Sequence, residues 1–216
     1  MGRADVVRAI EENGVVAVIR ITAPEKLHAV IDALAEGGVR ALEITMTVPR
    51  ALELIAAVAP TLPQGFLVGA GTVLDAETAR LAILGGAQFV VGPVWRRGVL
   101  ETCHRYDVAA MPGCFTPTEI LDAWEAGADI VKVFPATSLG PGYLKDLRGP
   151  LPQVKLMPTG GVSLDNAGDW IAAGAAAVGV GTALLDARAI ADGSYGVLTA
   201  NARRLCANVR AAREKR

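Results

Sequence analysis

The sequence predicts one α/β domain spanning residues 1–216, folded as a (β/α)8 TIM barrel with an extra N-terminal helix. Short β-branched apolar runs alternate with Ala/Leu-rich stretches at a spacing of roughly 20–25 residues, the length of one βα unit. Several of the Ala/Leu-rich stretches end in glycine and pass at once into the next apolar run, as in EGGVRALEI, LGGAQFVV, EAGADIVKV and AAGAAAVGV. A helix C-terminus needs a residue that tolerates positive φ, so this repeated phrase reads as the αβ turn of a parallel sheet. The count also matters, because eight such strands close a barrel whereas six suit an open doubly wound sheet.

The expected strands are Val15–Arg20, Ala41–Met46, Leu67–Thr72, Phe89–Pro93, Ala109–Gly113, Ile130–Pro135, Lys155–Gly161 and Ala175–Thr182. Helical patterns lie between them, among them Pro24–Gly37, Arg50–Ala59, Ala76–Gly85, Arg97–Tyr106, Thr118–Gly127 and Leu164–Ala173. Ala4–Asn13 is the extra helix, placed to cap the bottom of the barrel, and Leu198–Arg213 is the last one. The open-sheet alternative wants a G-x-G-x-x-G turn after the first strand, where this chain instead continues into ITAPEKL.

Composition narrows the function. The chain is 52% hydrophobic and 20% charged, which suits a globular protein with a sizeable core. A formal net charge of −1, with no Lys/Arg cluster, gives no reason to expect a nucleic-acid partner. No apolar run is long enough to span a bilayer. The opening MGRADVVRAIEENG carries acids where an export signal needs an apolar run, and Cys103, Cys114 and Cys206 have no metal or redox spacing. A cytoplasmic protein with reduced cysteines is expected. His28 and His104 fall in helical stretches without neighbouring ligands, so no metal site is expected.

Barrel enzymes carry their chemistry at the C-terminal ends of the strands, and strand residues alternate between interior and helix layer. In the second strand, Leu42, Ile44 and Met46 suit the helix layer, which turns Glu43, Thr45 and Thr47 inward. In the sixth, Val131 and Val133 face the helices, and Ile130, Lys132 and Phe134 face in. Arg20, Thr72 and Thr159 can join them from the ends of the first, third and seventh strands. Lys132 is the sharpest feature, because burying an ammonium ion in a run as apolar as DIVKVFP costs several kcal/mol unless it is paired or neutral. An amine withheld from water is favoured in its neutral form, the form that attacks a carbonyl. A purely structural Glu43–Lys132 ion pair is the competing reading.

Glu43 suits a counter-ion or a general acid/base, and Arg20 suits a bidentate carboxylate ligand or a loop anchor. Lys155 opens its strand and so belongs at the bottom, while Lys26 and Lys145 fall in helical stretches and read as solvated. Gly160-Gly161 and Gly179-Val180-Gly181-Thr182 follow the last two strands, where such barrels cradle phosphate on exposed backbone N–H groups.

The motifs AVIR, LEITMTVP, GAGTVL, MPGCFTPTE, VKVFPA, PTGGV and GVGT occur in that order across nearly the whole chain. Together they resemble the 2-keto-3-deoxy-6-phosphogluconate (KDPG) / 4-hydroxy-2-oxoglutarate (KHG) aldolases. The resemblance implies a metal-independent, cofactor-free class I aldolase of the Entner–Doudoroff route, a homotrimer acting on a small phosphorylated 2-keto acid. It makes Lys132 the Schiff-base lysine and Glu43 the proton-transferring carboxylate. Thr72 would bind the pyruvyl carboxylate, Pro93, Phe134 and Thr159 would line the pocket, and Gly160, Gly161 and Gly181 would hold the phosphate. Some members carry an Leu-Arg pair where this chain has Met46-Thr47, and Arg20 is then the residue that supplies the charge. Gly92 stands before Pro93 where serine is frequent. Galactonate-type relatives share most of these motifs, and Thr159 in PTGG favours the gluconate form.

Overall fold

The computed structural model describes residues 1–215. In chain order it runs α1 (Arg3–Asn13), β1 (Val15–Ile19), α2 (Leu27–Glu36), β2 (Ala41–Thr45), α3 (Ala51–Val58), β3 (Leu67–Gly71), α4 (Ala76–Leu84), β4 (Phe89–Val91), α5 (Arg97–Arg105) and β5 (Ala109–Met111). It continues with β6 (Gly113–Cys114), α6 (Pro117–Glu125), β7 (Val131–Val133), α7 (Gly140–Arg148), β8 (Leu156–Pro158), α8 (Ala167–Ala172), β9 (Val178–Val180), α9 (Ala187–Asp192) and α10 (Gly196–Glu214).

Helix starts and stops follow local chemistry. Asp75 caps α4 by accepting from the Thr78 N–H, and Thr116 with Glu119 forms a reciprocal capping box at α6. After α2 and α4 the second glycine of each pair takes positive φ, 98° at Gly38 and 101° at Gly86, which turns the chain back into the sheet. The helix predicted from Pro24 opens as a short 3₁₀ turn, Pro24–Lys26, before α2 proper.

All strand pairs are parallel, as helix-covered crossovers require. The order is β5-β4-β3-β2-β1-β9 in one sheet and β6-β7-β8 in the other. A parallel bridge between Thr159 and Gly179 links β8 to β9, so the strands form one curled wall. The sequence predicts a single fifth strand, Ala109–Gly113, which the structure divides at Pro112. Proline has no N–H to donate, and the chain changes partner there, β5 pairing with β4 and β6 with β7. The Pro112 carbonyl still accepts from the Lys132 N–H at 2.9 Å.

Two apolar clusters mark the two faces of the wall. Leu42, Ile44, Val131 and Val133 pack with helix residues in the larger cluster. Val16, Ala41, Leu67, Phe89, Ile130 and Met157 form the smaller one with Val6, Val7 and Ile10 of α1. The N-terminal helix therefore covers the end of the wall at which the strands begin. Among the described residues, no helix is long and apolar enough to cross a membrane.

Candidate active site

Of the three charged residues predicted to face inward, Glu43 and Lys132 do meet. Glu43 lies between Leu42 and Ile44 on β2, and Lys132 between Val131 and Val133 on β7. Their apolar neighbours belong to the helix-side cluster, so alternation sends both polar side chains to the other face. Lys132 is 2% exposed and Glu43 fully buried, and Lys132 Nζ stands 3.9 Å from Glu43 Oε1. Neither Glu43 oxygen accepts a hydrogen bond from the described residues, nor is the buried Thr159 hydroxyl engaged. Native interiors leave few polar atoms unmatched, so the bare Glu43 carboxylate and the bare Thr159 hydroxyl are each free to receive a polar atom from elsewhere. The Lys132 ammonium position also lies 4.9 Å from the centre of the Phe134 ring.

Beside this pair opens a cavity of about 200 Å³ whose walls include Arg20, Phe134, Thr159, Gly160, Gly161 and Gly181. Gly160 (φ 87°) and Gly161 (φ 71°) are consecutive left-handed residues, and Thr137 packs against the space a side chain at Gly161 would occupy. That strip of backbone is bare because it must be. Thr182, from the second glycine cluster, also lines the cavity, as do Val18, Val162 and Leu185, which the sequence does not single out; only the alternation along β1 could have flagged Val18. A larger surface groove of about 620 Å³ runs between α8 and α10, lined by residues such as Gly168 and Asn208, away from the strand ends.

The remaining candidates are placed as follows. Thr72 immediately follows β3 with φ 58°, a left-handed conformation that a β-branched residue adopts only when its surroundings impose it. Pro93 is half-buried just beyond β4, its carbonyl against the bare face of Gly113. Arg20 is not in the interior: β1 ends at Ile19, alternation ends with it, and the side chain is exposed on the rim of the cavity. Thr47, also predicted inward, is exposed in the turn after β2. Its hydroxyl lies 2.7 Å from that of buried Thr45, which donates to the Ile19 carbonyl. Thr45 thereby spends its one proton, so Thr47 is the donor between them.

Outside the site, Lys155 lies at the opposite end and pairs with Glu11 at 2.9 Å. Lys26 is half-buried rather than solvated, because its ammonium caps the Ile190 and Ala191 carbonyls at the end of α9. Lys145 lies in α7 and is exposed. His28 is exposed on α2, and His104 lies 3.7 Å from Asp129. Burial first, then the Arg3 charge, pushes the His104 imidazole below its usual range, against the pull of Asp129. Among the described residues, no three or more His, Cys, Asp or Glu side chains gather as a metal site would need.

Comparison with known proteins identifies the family. The family model described as KDPG and KHG aldolase matches residues 6–200. A 2-dehydro-3-deoxy-phosphogluconate aldolase of Treponema pallidum is 36% identical over 193 residues, covering 89% of this chain and 91% of its own. A 2-dehydro-3-deoxy-6-phosphogalactonate aldolase of Escherichia coli is 35% identical, covering 78% and 83%. The structure of the KDPG aldolase of Legionella pneumophila, with pyruvate captured as a covalent carbinolamine, superposes with a TM-score of 0.85 at 28% identity over 92% of this chain and 97% of that one. The chain belongs to the KDPG and KHG aldolase family.

Proposed function

We propose that this chain is a class I aldolase that cleaves 2-keto-3-deoxy-6-phosphogluconate to pyruvate and glyceraldehyde 3-phosphate through an imine on Lys132. One observation carries the reading: a buried amine 3.9 Å from a carboxylate that has no other partner among the described residues, beside a cavity walled in part by glycine backbone. Imine formation needs the lone pair of Nζ, so a proton must leave Lys132, and Glu43 is the acceptor within reach. The freed amine adds to C2 of the keto acid to give a carbinolamine, and loss of water gives the iminium. That cation is the electron sink, so the route needs no metal. Removal of the C4 hydroxyl proton, by Glu43 directly or through a water, lets the C3–C4 pair flow into the iminium. The aldehyde leaves, the enamine takes a proton at C3, and hydrolysis returns pyruvate and the free amine.

In this reading the wall of strands is a closed eight-stranded barrel, β5 and β6 acting as one interrupted strand and the Thr159–Gly179 bridge supporting closure. Arg20 and Thr72 hold the pyruvyl carboxylate, while Pro93, Phe134 and Thr159 line the pocket. Gly160, Gly161 and Gly181 take the phosphate, which with KHG as substrate has no counterpart. The chain works as a homotrimer in the cytoplasm, as its family resemblance implies. A second reading, the C4 epimer 2-keto-3-deoxy-6-phosphogalactonate, is favoured by the likeness to the Escherichia coli enzyme that bears that name.

Turnover of the gluconate, galactonate and unphosphorylated 2-keto acids by wild type and Lys132→Ala tests the proposal. The expected result is highest kcat/KM for the phosphorylated gluconate, and loss of turnover by several orders of magnitude in the variant. Near-normal turnover in Lys132→Ala refutes the covalent route.

A further inference from the structure

We infer that Gly71 is a positioning residue for the aldolase site, a notch in β3 shaped to receive the Glu43 carboxylate from the neighbouring strand; the catalytic part of this inference rests on the function proposed above. The register pairs Glu43 with Gly69 and Thr45 with Gly71, so the Glu43 side chain leans one pair up the wall. A Cβ built at Gly71 would stand 2.1 Å from Glu43 Oε1 and 2.6 Å from both its Cδ and Cγ. The whole end of the side chain occupies the place where any other residue at 71 would put its first carbon. Gly71 does not have positive φ, so the backbone alone would accept any L-residue. Space is what the position supplies, and a glycine within a strand marks such close approach.

The neighbouring glycine serves a different guest. A Cβ at Gly69 would stand 2.4 Å from two atoms of the Phe89 ring. One strand, LVGAG, thus has two notches on its inner face: Phe89 of β4 fills the lower, and Glu43 of β2 fills the upper. The upper one decides where the carboxylate sits. Glu43 is fully buried and accepts no hydrogen bond from the described residues. No donor therefore fixes its aim; the notch and the 3.9 Å approach of Lys132 do. A methyl group at 71 must push the carboxylate along or out of the wall and change that distance. Misplacement of a reacting group by about 1 Å costs on the order of 10²-fold in rate.

The test is a pair of cycles. In the first, thermal unfolding compares wild type, Glu43→Ala, Gly71→Ala, the double variant, and Gly69→Ala with and without Glu43→Ala. A Gly71 notch filled by Glu43 predicts that Gly71→Ala lowers Tm when Glu43 is present and causes no further drop when it is added to Glu43→Ala, whereas Gly69→Ala lowers Tm by a similar amount in both backgrounds. In the second, Glu43→Asp, one methylene shorter, is placed in both backgrounds and kcat and KM are measured. It should lower kcat on its own and raise kcat in Gly71→Ala, with KM for the keto acid nearly unchanged. A Gly71→Ala drop in Tm that is as large in the Glu43→Ala background as in the wild type, or a Glu43→Asp effect of the same sign in both backgrounds, overturns the inference. If the wild type shows no aldol cleavage, the proposed function fails, and the unfolding cycle still decides whether the notch belongs to Glu43.

Discussion

Replacing Glu43 with leucine leaves the Lys132 amine buried without its carboxylate, and the cost follows from the geometry. Opposite charges 3.9 Å apart attract by about 4 kcal/mol at an effective dielectric constant of 20. Breaking a buried pair by removing one partner typically costs about 3–5 kcal/mol, because the survivor stays desolvated. A domain of this size has roughly 5–15 kcal/mol in total, so Glu43→Leu should give up a large share of it. Lys132→Met added to it removes the orphan, and apolar replacement of both partners is often neutral or stabilising. Urea unfolding with linear extrapolation measures both. The expected result is a loss of about 3–5 kcal/mol in Glu43→Leu, with most of it recovered in the double variant. A single-variant loss below about 1 kcal/mol, or a double variant no better than the sum of the singles, would show that the two side chains are not an energetically coupled pair.

Two further outcomes follow from the same structure. Burial pushes the Cys103 and Cys114 thiols up to about 12, with Asp129 and Glu119 adding in the same direction. At pH 8 neither should alkylate with iodoacetamide until the chain unfolds, when all three cysteines should; rapid native labelling of either contradicts the packing. The Thr78 N–H holds the Asp75 carboxyl below its usual value of 3.8. The cap therefore contributes stability above that pH, and the contribution is lost as pH falls through the lowered folded value. Asp75→Ala should cost about 0.5–2 kcal/mol at pH 7 and less in strong acid, measured by denaturant titration at each pH; an equal cost at pH 2 contradicts the assignment.

The β-branched runs and the glycine-to-strand phrases made most of the βα units legible, because periodicity and left-handed turns are written locally. Glu43 and Lys132 were equally legible: a charge inside a strand with apolar neighbours on both sides has only one face left to point to. Pro112 was in plain view, yet its effect depends on which strand lies on either side, and that is a tertiary fact. Arg20 and Thr47 departed from the alternation because it holds only while the strand lasts, and β1 and β2 stop one and two residues short of them. The helix α9 is short and sits in a stretch dominated by the glycine-rich turn before it and Gly193-Ser194 after it, so no long period announces it. Gly71 was invisible as a partner of Glu43, since an empty volume has no signature in a sequence until another side chain fills it.

Borohydride reduction in the presence of pyruvate, followed by peptide mass mapping, tests the central claim most directly. The account predicts one pyruvate-derived secondary amine per chain, on the peptide that contains Lys132 and absent from Lys132→Met. No adduct, or an adduct on Lys26, Lys145 or Lys155 while Lys132 stays unmodified, contradicts it.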